Sequence, residues 1–187
     1  MAGAATKLMT VEEFFVWQQA QKDRYELVEG VPMKRMMRAS TQHDRIVGNI
    51  IAAFGRELQT SRFWPATAGL LLRTRPQSLR RADVLITSDE PRADVYEARD
   101  ARVVIEVLAR SETADTGLRR FDEFRLREDV EHVVMISPER ADAAIIQRDG
   151  GGWVSHGATG LGEVIKLPQI KCRLAMADVY DGVTIEG

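Results

Sequence analysis

Two acids in this chain stand where acids are costly. Asp83 lies in the run Ala82-Asp83-Val84-Leu85-Ile86-Thr87, and Glu106 lies in Ala101-Arg102-Val103-Val104-Ile105-Glu106-Val107-Leu108. Runs this rich in Val and Ile read as strands, the second one buried on both faces at the centre of a mixed sheet. Desolvating an unpaired carboxylate is strongly unfavourable, so Glu106 must be protonated, paired with a cation or bound to a metal. Two such acids on neighbouring strands, roughly 4.8 Å apart, could share one hard divalent cation. Taken alone, Asp83 reads more simply as a strand-end acid capping a loop. Its position one strand before Glu106 reverses that preference.

The elements that must carry these acids follow from periodicity. Thr10-Val11-Glu12-Glu13 has the form of a capping box and opens a helix through Gln21, with Phe14, Phe15 and Trp17 on its buried side. Tyr25 to Val28 and Val31 to Met37 predict a hairpin that turns at Glu29-Gly30. Ser40 caps a second helix, ending near Thr60, whose Ile46, Ile50, Phe54 and Leu58 fall on one face. Strands are expected from Phe63 to Thr67 and from Leu70 to Thr74, split by Gly69. Pro76 then places Arg73, Arg75, Arg80 and Arg81 in a loop. A polar excursion from Ser88 to Asp100 separates the Asp83 and Glu106 strands. A helix from Ala114 to Asp129, packing through Leu118, Phe121, Phe124 or Leu126, and Val130, leads to a strand from His132 to Ile136. That βαβ unit should cross over right-handedly. Ala141 to Gln147 and Trp153 to His156 pair around Asp149-Gly150-Gly151-Gly152, and a short helix covers Ala175 to Val179.

The 187 residues suit one domain with a sizeable core, and neither a repeat nor a linker divides them. The expected class is α/β (α+β), with a mixed β-sheet core flanked by helices. A formal charge of −2 leaves no global basic footprint, so any nucleic-acid contact must come from a local patch. The single cysteine, Cys172, excludes an intramolecular disulfide and Cys-rich zinc sites, and fits a reducing cytosol. No run approaches the roughly 18 apolar residues that span a bilayer, and the start lacks a signal peptide's apolar core. The expectation is a cytoplasmic protein without a membrane partner.

Other polar residues have plain readings. Glu26 sits in an alternating hairpin strand, where an exposed acid is ordinary, and a lone helical histidine such as His43 is commonly a surface or packing residue. Arg119, Arg125 and Arg127 read as the solvated face of an amphipathic helix. The Arg73 to Arg81 stretch suits either a phosphate-contacting patch or a surface loop. Cys172, His132 and His156 have no ligand-like spacing and read as structural.

In order, Ala82-Asp83 and then Ile105-Glu106-Val107-Leu108 resemble the PD-(D/E)XK nuclease core, in which acids on successive strands hold Mg²⁺ and a lysine follows. The chain is more closely similar to the Uma-two family of restriction-endonuclease-like proteins. Tyr25-Glu26-Leu27-Val28-Glu29-Gly30, His43, Arg81-Ala82-Asp83-Val84, Val104 to Leu108 with Ser111, Arg120-Phe121 with Phe124, and Glu131-His132-Val133-Val134 through Pro138 carry that similarity. It spans nearly the whole chain, and the order of the pieces is more specific than any one of them. Ala82 replaces the usual proline. Leu108 stands where the superfamily has lysine; the family's lysine has moved to the following helix, where this chain has Arg120.

The resemblance implies a restriction-endonuclease-like fold and a Mg²⁺-dependent endonuclease acting on DNA, with Mn²⁺ as a substitute. Asp83, Glu106 and the carbonyl of Val107 would hold the ion. Glu26 would orient the attacking water, His43 would touch phosphate or water, and Arg120 would meet charge on the phosphoryl group. Arginine keeps the electrostatic part of the lysine's role but cannot titrate near neutral pH. A homodimer is implied by analogy and because cutting a duplex takes two sites. A non-catalytic nucleic-acid-binding or scaffold protein with the same fold is the alternative, favoured by Arg120 and the lack of positive charge. A hydrolase of other phosphodiesters is a third reading.

Overall fold

Local chemistry sets the first elements in the computed structural model, which describes residues 8–35, 40–108 and 120–186. Helix α1 (Val11–Gln19) is closed by a complete capping box: Glu13 N donates to Thr10 Oγ1 at 3.1 Å, and Thr10 N donates to Glu13 Oε2 at 2.9 Å. Strands β1 (Tyr25–Val28) and β2 (Val31–Lys34) form the expected hairpin, while Met36 and Met37 of the expected second strand lie outside the described residues. Its turn needs positive φ at both central residues, Glu29 at 49° and Gly30 at 81°. Only glycine fits the second position, because a Cβ there would lie 2.8 Å from Leu8 Cβ. Helix α2 (Thr41–Glu57) is capped by Ser40 and buries Ile46, Ile50, Ala53 and Phe54.

The next strands are β3 (Trp64–Thr67), β4 (Leu71–Arg75), β5 (Ser78–Arg80), β6 (Val84–Thr87), β7 (Glu97–Ala98) and β8 (Ala101–Val107). Residues 120–124 form the described part of α3, followed by β9 (His132–Ile136), β10 (Asp142–Asp149) and β11 (Gly152–Thr159). The chain continues through β12 (Val164–Leu167), a 3₁₀ turn (Pro168–Ile170), β13 (Cys172–Ala175) and α4 (Met176–Val179). Among the described residues, a six-stranded sheet runs β11-β10-β9-β8-β6-β3 and a five-stranded sheet runs β2-β1-β5-β4-β7, with β12-β13 as a separate pair. In the larger sheet β8 and β9 are parallel, as the βαβ reading required, whereas β6 pairs antiparallel with β8.

The central strand β8 is buried on both sides, and its alternation decides which residue meets which layer. Val103, Ile105 and Val107 pack with Ile46, Ile50 and Phe54 of α2 in one cluster. Val104 joins Phe124 and Val130 on the opposite face. Glu106, two residues beyond Val104, is thereby turned toward the α3 side. There Phe124 is fully buried and Phe121 is half-buried in an edge-on contact with Trp153, 5.7 Å between ring centroids. Leu126 is exposed.

Several expectations change. Arg73, Arg75 and Arg80 are not in a loop: β4 and β5 form a hairpin around Pro76-Gln77, with Arg75 paired to Ser78, and only Arg81 lies in a connection, the one that leads to β6. The hairpin satisfies the backbone on either side of a proline that itself sits outside the ladder. β3 and β4, close in sequence, belong to different sheets. α3 is helical to residue 124, not to Asp129, and Leu118, Arg119 and Ser111 lie outside the described residues. Arg125 is solvated, paired with Asp122, but Arg127 is not, because its guanidinium bonds to the carbonyls of Arg73 and Arg99 and to Asp129. β7, β12 and β13 carried no clear strand pattern.

His132 is buried at the start of β9, and burial, opposed in part by Gln147, pushes its pKa down to about 4. The unfolded chain takes up the proton near pH 6.5, so this contribution is complete above that pH and is lost as pH falls toward 4, by about 3 kcal/mol. Denaturant melts between pH 7 and 4 should therefore show a smaller stability loss in His132→Gln than in the wild type. Parallel curves for the two proteins would contradict the assignment.

Candidate active site

Asp83 immediately precedes β6, and the pairing of Val84 with Ile105 continues to set Asp83 across from Glu106. Backbone and cations hold Asp83 in place. Val107 N donates to Oδ2 at 2.8 Å, Arg35 Nη2 donates to Oδ1 at 2.5 Å, and His43 Nε2 lies 3.4 Å from Oδ2. Burial alone would raise its pKa, but His43, Arg35 and the Val107 amide outweigh burial and keep the carboxyl below its ordinary range. The Asp83 carboxylate in turn raises the His43 pKa against the effect of burial.

Glu106 is buried, and its Oε1 accepts from Arg120 Nη2 at 2.8 Å. Burial dominates here. It pushes Glu106 up to about 7, with Arg120 opposing and the Asp83 charge adding to the rise. The two acids thus differ in kind: Asp83 is ionised by its partners, whereas Glu106 is poised near neutrality.

Arg120, at the start of the described part of α3, ties β1 and β8 to the β5–β6 connection. Its Nη1 reaches both oxygens of Glu26 at 3.2 Å, and its Nη2 also donates to the carbonyl of Arg81 at 2.6 Å. The guanidinium stacks over Phe124 at 5.8 Å, one helical turn away, so the buried aromatic sets the rotation that aims Arg120 at the acids. Its Nε is buried without a hydrogen-bond partner among the described residues.

Glu26 on β1 is not an exposed hairpin acid. Arg81 N donates to its Oε1 at 2.9 Å and Arg80 Nη1 to its Oε2 at 3.0 Å, in addition to Arg120. Burial raises the Glu26 pKa, but the Arg120, Arg80 and Arg35 charges and the Arg81 amide win and leave it lowered. Arg80 also grips Glu123 of α3 through Nε at 2.7 Å and Nη2 at 2.5 Å, and Thr74 adds a third bond to the same carboxylate. Arg80 therefore joins the Glu26 strand to the helix that carries Arg120.

All five side chains singled out from the sequence, Glu26, His43, Asp83, Glu106 and Arg120, converge on this one cluster. Arg35, Arg80, Arg81 and Glu123 were not singled out for it. The Arg80-Arg81 pair beside Asp83 was a signal, since two adjacent arginines before a buried acid need partners. Nothing marks Arg35, which reads as one more residue of a hairpin strand.

The described residues hold no cluster of three or more His, Cys, Asp or Glu suited to a metal. The donor set still fits a hard ion such as Mg²⁺, which takes one or two carboxylates and completes its shell with water and substrate oxygens. Of the two Glu106 oxygens, Oε1 accepts the carboxylate's one hydrogen bond among the described residues. The amide and carbonyl of one strand residue face the same edge, so the Val107 carbonyl lies on the side whose amide meets Asp83.

This is the restriction-endonuclease-like fold, with its acids at the heart of a mixed sheet. The chain belongs to the Uma2 family, described as "Putative restriction endonuclease", whose model matches residues 11–177. It is similar to the crystal structure of a protein from Anabaena variabilis described as a putative nuclease. The TM-score is 0.72 at 13% identity, over 94% of this chain and 99% of the other. No curated protein matches the chain. Among the described residues no helix is long and apolar enough to cross a membrane.

Proposed function

We propose that this protein is a Mg²⁺-dependent endonuclease that hydrolyses DNA phosphodiester bonds, with Mn²⁺ as a working substitute. The observation that carries the reading is the convergence of Asp83 and Glu106, from neighbouring strands, beside the guanidinium of Arg120. Asp83, Glu106 and the Val107 carbonyl would hold the ion. When bound there, it supplies positive charge to the scissile phosphate and lowers the pKa of a coordinated water.

The chain's own residues then divide the remaining work. Arg120 presents positive charge to the phosphoryl group as negative charge grows on it. Its Nε, buried and without a hydrogen-bond partner among the described residues, leaves a donor for an ordered water. Glu26 has both oxygens engaged, so it fixes the orientation of Arg120 rather than that of the attacking water. His43 holds Asp83 and stands at the capped end of α2. A homodimer in the cytoplasm, cutting both strands of a duplex, is the assembly this chemistry suits.

One observation favours the non-catalytic reading. Each acid already has a guanidinium, Arg35 on Asp83 and Arg120 on Glu106, an arrangement that also suits a purely structural cluster. Supercoiled-plasmid nicking decides between them. Nicking should require Mg²⁺ or Mn²⁺, and Glu106→Gln should remove it while the far-UV circular dichroism is unchanged. Metal-dependent stabilisation without nicking would favour a binding module, and neither effect would favour a scaffold.

A further inference from the structure

Arg35 follows the last residue of β2, and its guanidinium sits on Asp83 rather than in solvent. On the reading that Asp83 and Glu106 hold a divalent ion, we infer that Arg35 is the resident cation of that site, exchanging with the ion on Asp83 and so setting the affinity for it.

Three observations carry this. First, both oxygens of Asp83 are engaged, Oδ1 by Arg35 and Oδ2 by the Val107 amide with His43 close by. The Val107 bond belongs to the backbone, so Oδ1 is the oxygen that a mobile side chain can give up. Second, Arg35 Nη1 and Arg120 Nη2 converge on a single acceptor, the carbonyl of Arg81, at 2.5 and 2.6 Å. Two guanidiniums so close are tolerable only while the acids beside them have no further cation to balance. A divalent ion between Asp83 and Glu106 would set two further positive charges against them, and one guanidinium must then leave. Third, the two are unequally held. Arg120 bonds to Glu26 through both of its oxygens, to Glu106 and to Arg81 from a helix anchored by buried Phe124. Arg35 has Asp83 and the Arg81 carbonyl alone among the described side-chain bonds, from the end of a hairpin. Arg35 is the one that moves.

The exchange makes an unusual demand: removing a cationic contact at the ion's own ligand should tighten ion binding. A residue that merely supported the site would do the opposite. Mn²⁺ binding to the full chain without DNA, followed by electron paramagnetic resonance of the free ion, reads this directly for the wild type, Arg35→Gln, Arg35→Lys and Asp83→Asn. Arg35→Gln should bind roughly tenfold more tightly, the equivalent of one charge-assisted hydrogen bond removed from competition. Arg35→Lys, which cannot span Asp83 and the Arg81 carbonyl with one planar fork, should fall between it and the wild type. Asp83→Asn should bind most weakly. If the wild type binds Mn²⁺ through Asp83 and Arg35→Gln binds no tighter, the exchange is wrong while the metal site stands. If neither binds, the metal reading itself fails and takes the exchange with it. Should Arg35→Gln fail to fold, Arg35→Lys decides: tighter binding than the wild type supports the exchange, and equal or weaker binding overturns it.

Discussion

Arg120→Ala should destabilise the protein by about 3–5 kcal/mol, because it strips the shared cation from two buried carboxylates, Glu26 and Glu106. For a chain of this size that corresponds to a fall in Tm of roughly 10 °C. The loss should shrink in acid. Glu106 is already raised to about 7 with Arg120 present, and it rises further without it. A carboxyl raised in the native state favours folding fully below its unfolded pKa, and that contribution disappears as pH climbs through the native value. The Ala variant should therefore recover stability between pH 8 and 5 relative to the wild type. At saturating Mg²⁺, its single-turnover nicking should fall about a hundredfold.

Arg120→Lys separates charge from geometry. The resemblance implies a lysine on this helix, and on that ground alone Arg120→Lys is expected to keep or raise activity. Here, however, the planar fork bridges Glu26, Glu106 and the Arg81 carbonyl at once, and one ammonium cannot. The Lys variant should lose stability yet retain more nicking than the Ala variant. If Arg120→Ala melts with the wild type, the two acids do not depend on this cation.

On the proposed metal-dependent reading, Asp83→Asn should abolish Mg²⁺-dependent nicking, by at least roughly a hundredfold, since it would remove an anionic ligand of an ion expected to contribute several kcal/mol to the transition state. Relief of repulsion between two acids suggests that the apo protein would also gain stability. The structure argues the reverse. Asp83 is kept below its ordinary pKa by His43, Arg35 and the Val107 amide, so its charge is stabilised in the fold, and asparagine leaves the Arg35 guanidinium without its counterion. A loss of about 1–3 kcal/mol in the absence of metal is expected. Chemical denaturation in EDTA, beside plasmid nicking in Mg²⁺, checks both parts. Wild-type nicking by Asp83→Asn would remove Asp83 from the metal site.

Much of this arrangement is legible in the one-dimensional pattern because the physics behind it is local. A capping box needs only four consecutive residues, and the Glu29-Gly30 turn needs only a residue that tolerates positive φ. A strand buried on both faces declares itself by Val and Ile, so an acid within it, as at Glu106, is conspicuous. Even the parallel pairing of β8 with β9 follows from the helix between them.

What sequence alone could not decide are the partners of the charges, since ion pairing joins residues distant in the chain. Arg35 meets Asp83 across 48 positions and Arg120 meets Glu26 across 94. No periodicity encodes such a meeting; it exists only once β1 has joined β5 and α3 has packed against the sheet. For that reason Glu26 reads from sequence as an exposed hairpin acid, and nothing in the pattern singles out Arg35. The types of residue at Asp83, Glu106 and Arg120 determined what chemistry is available here. The tertiary packing of two sheets around α3 decided which cation each acid receives, and therefore which acid is ionised and which is poised near neutral pH.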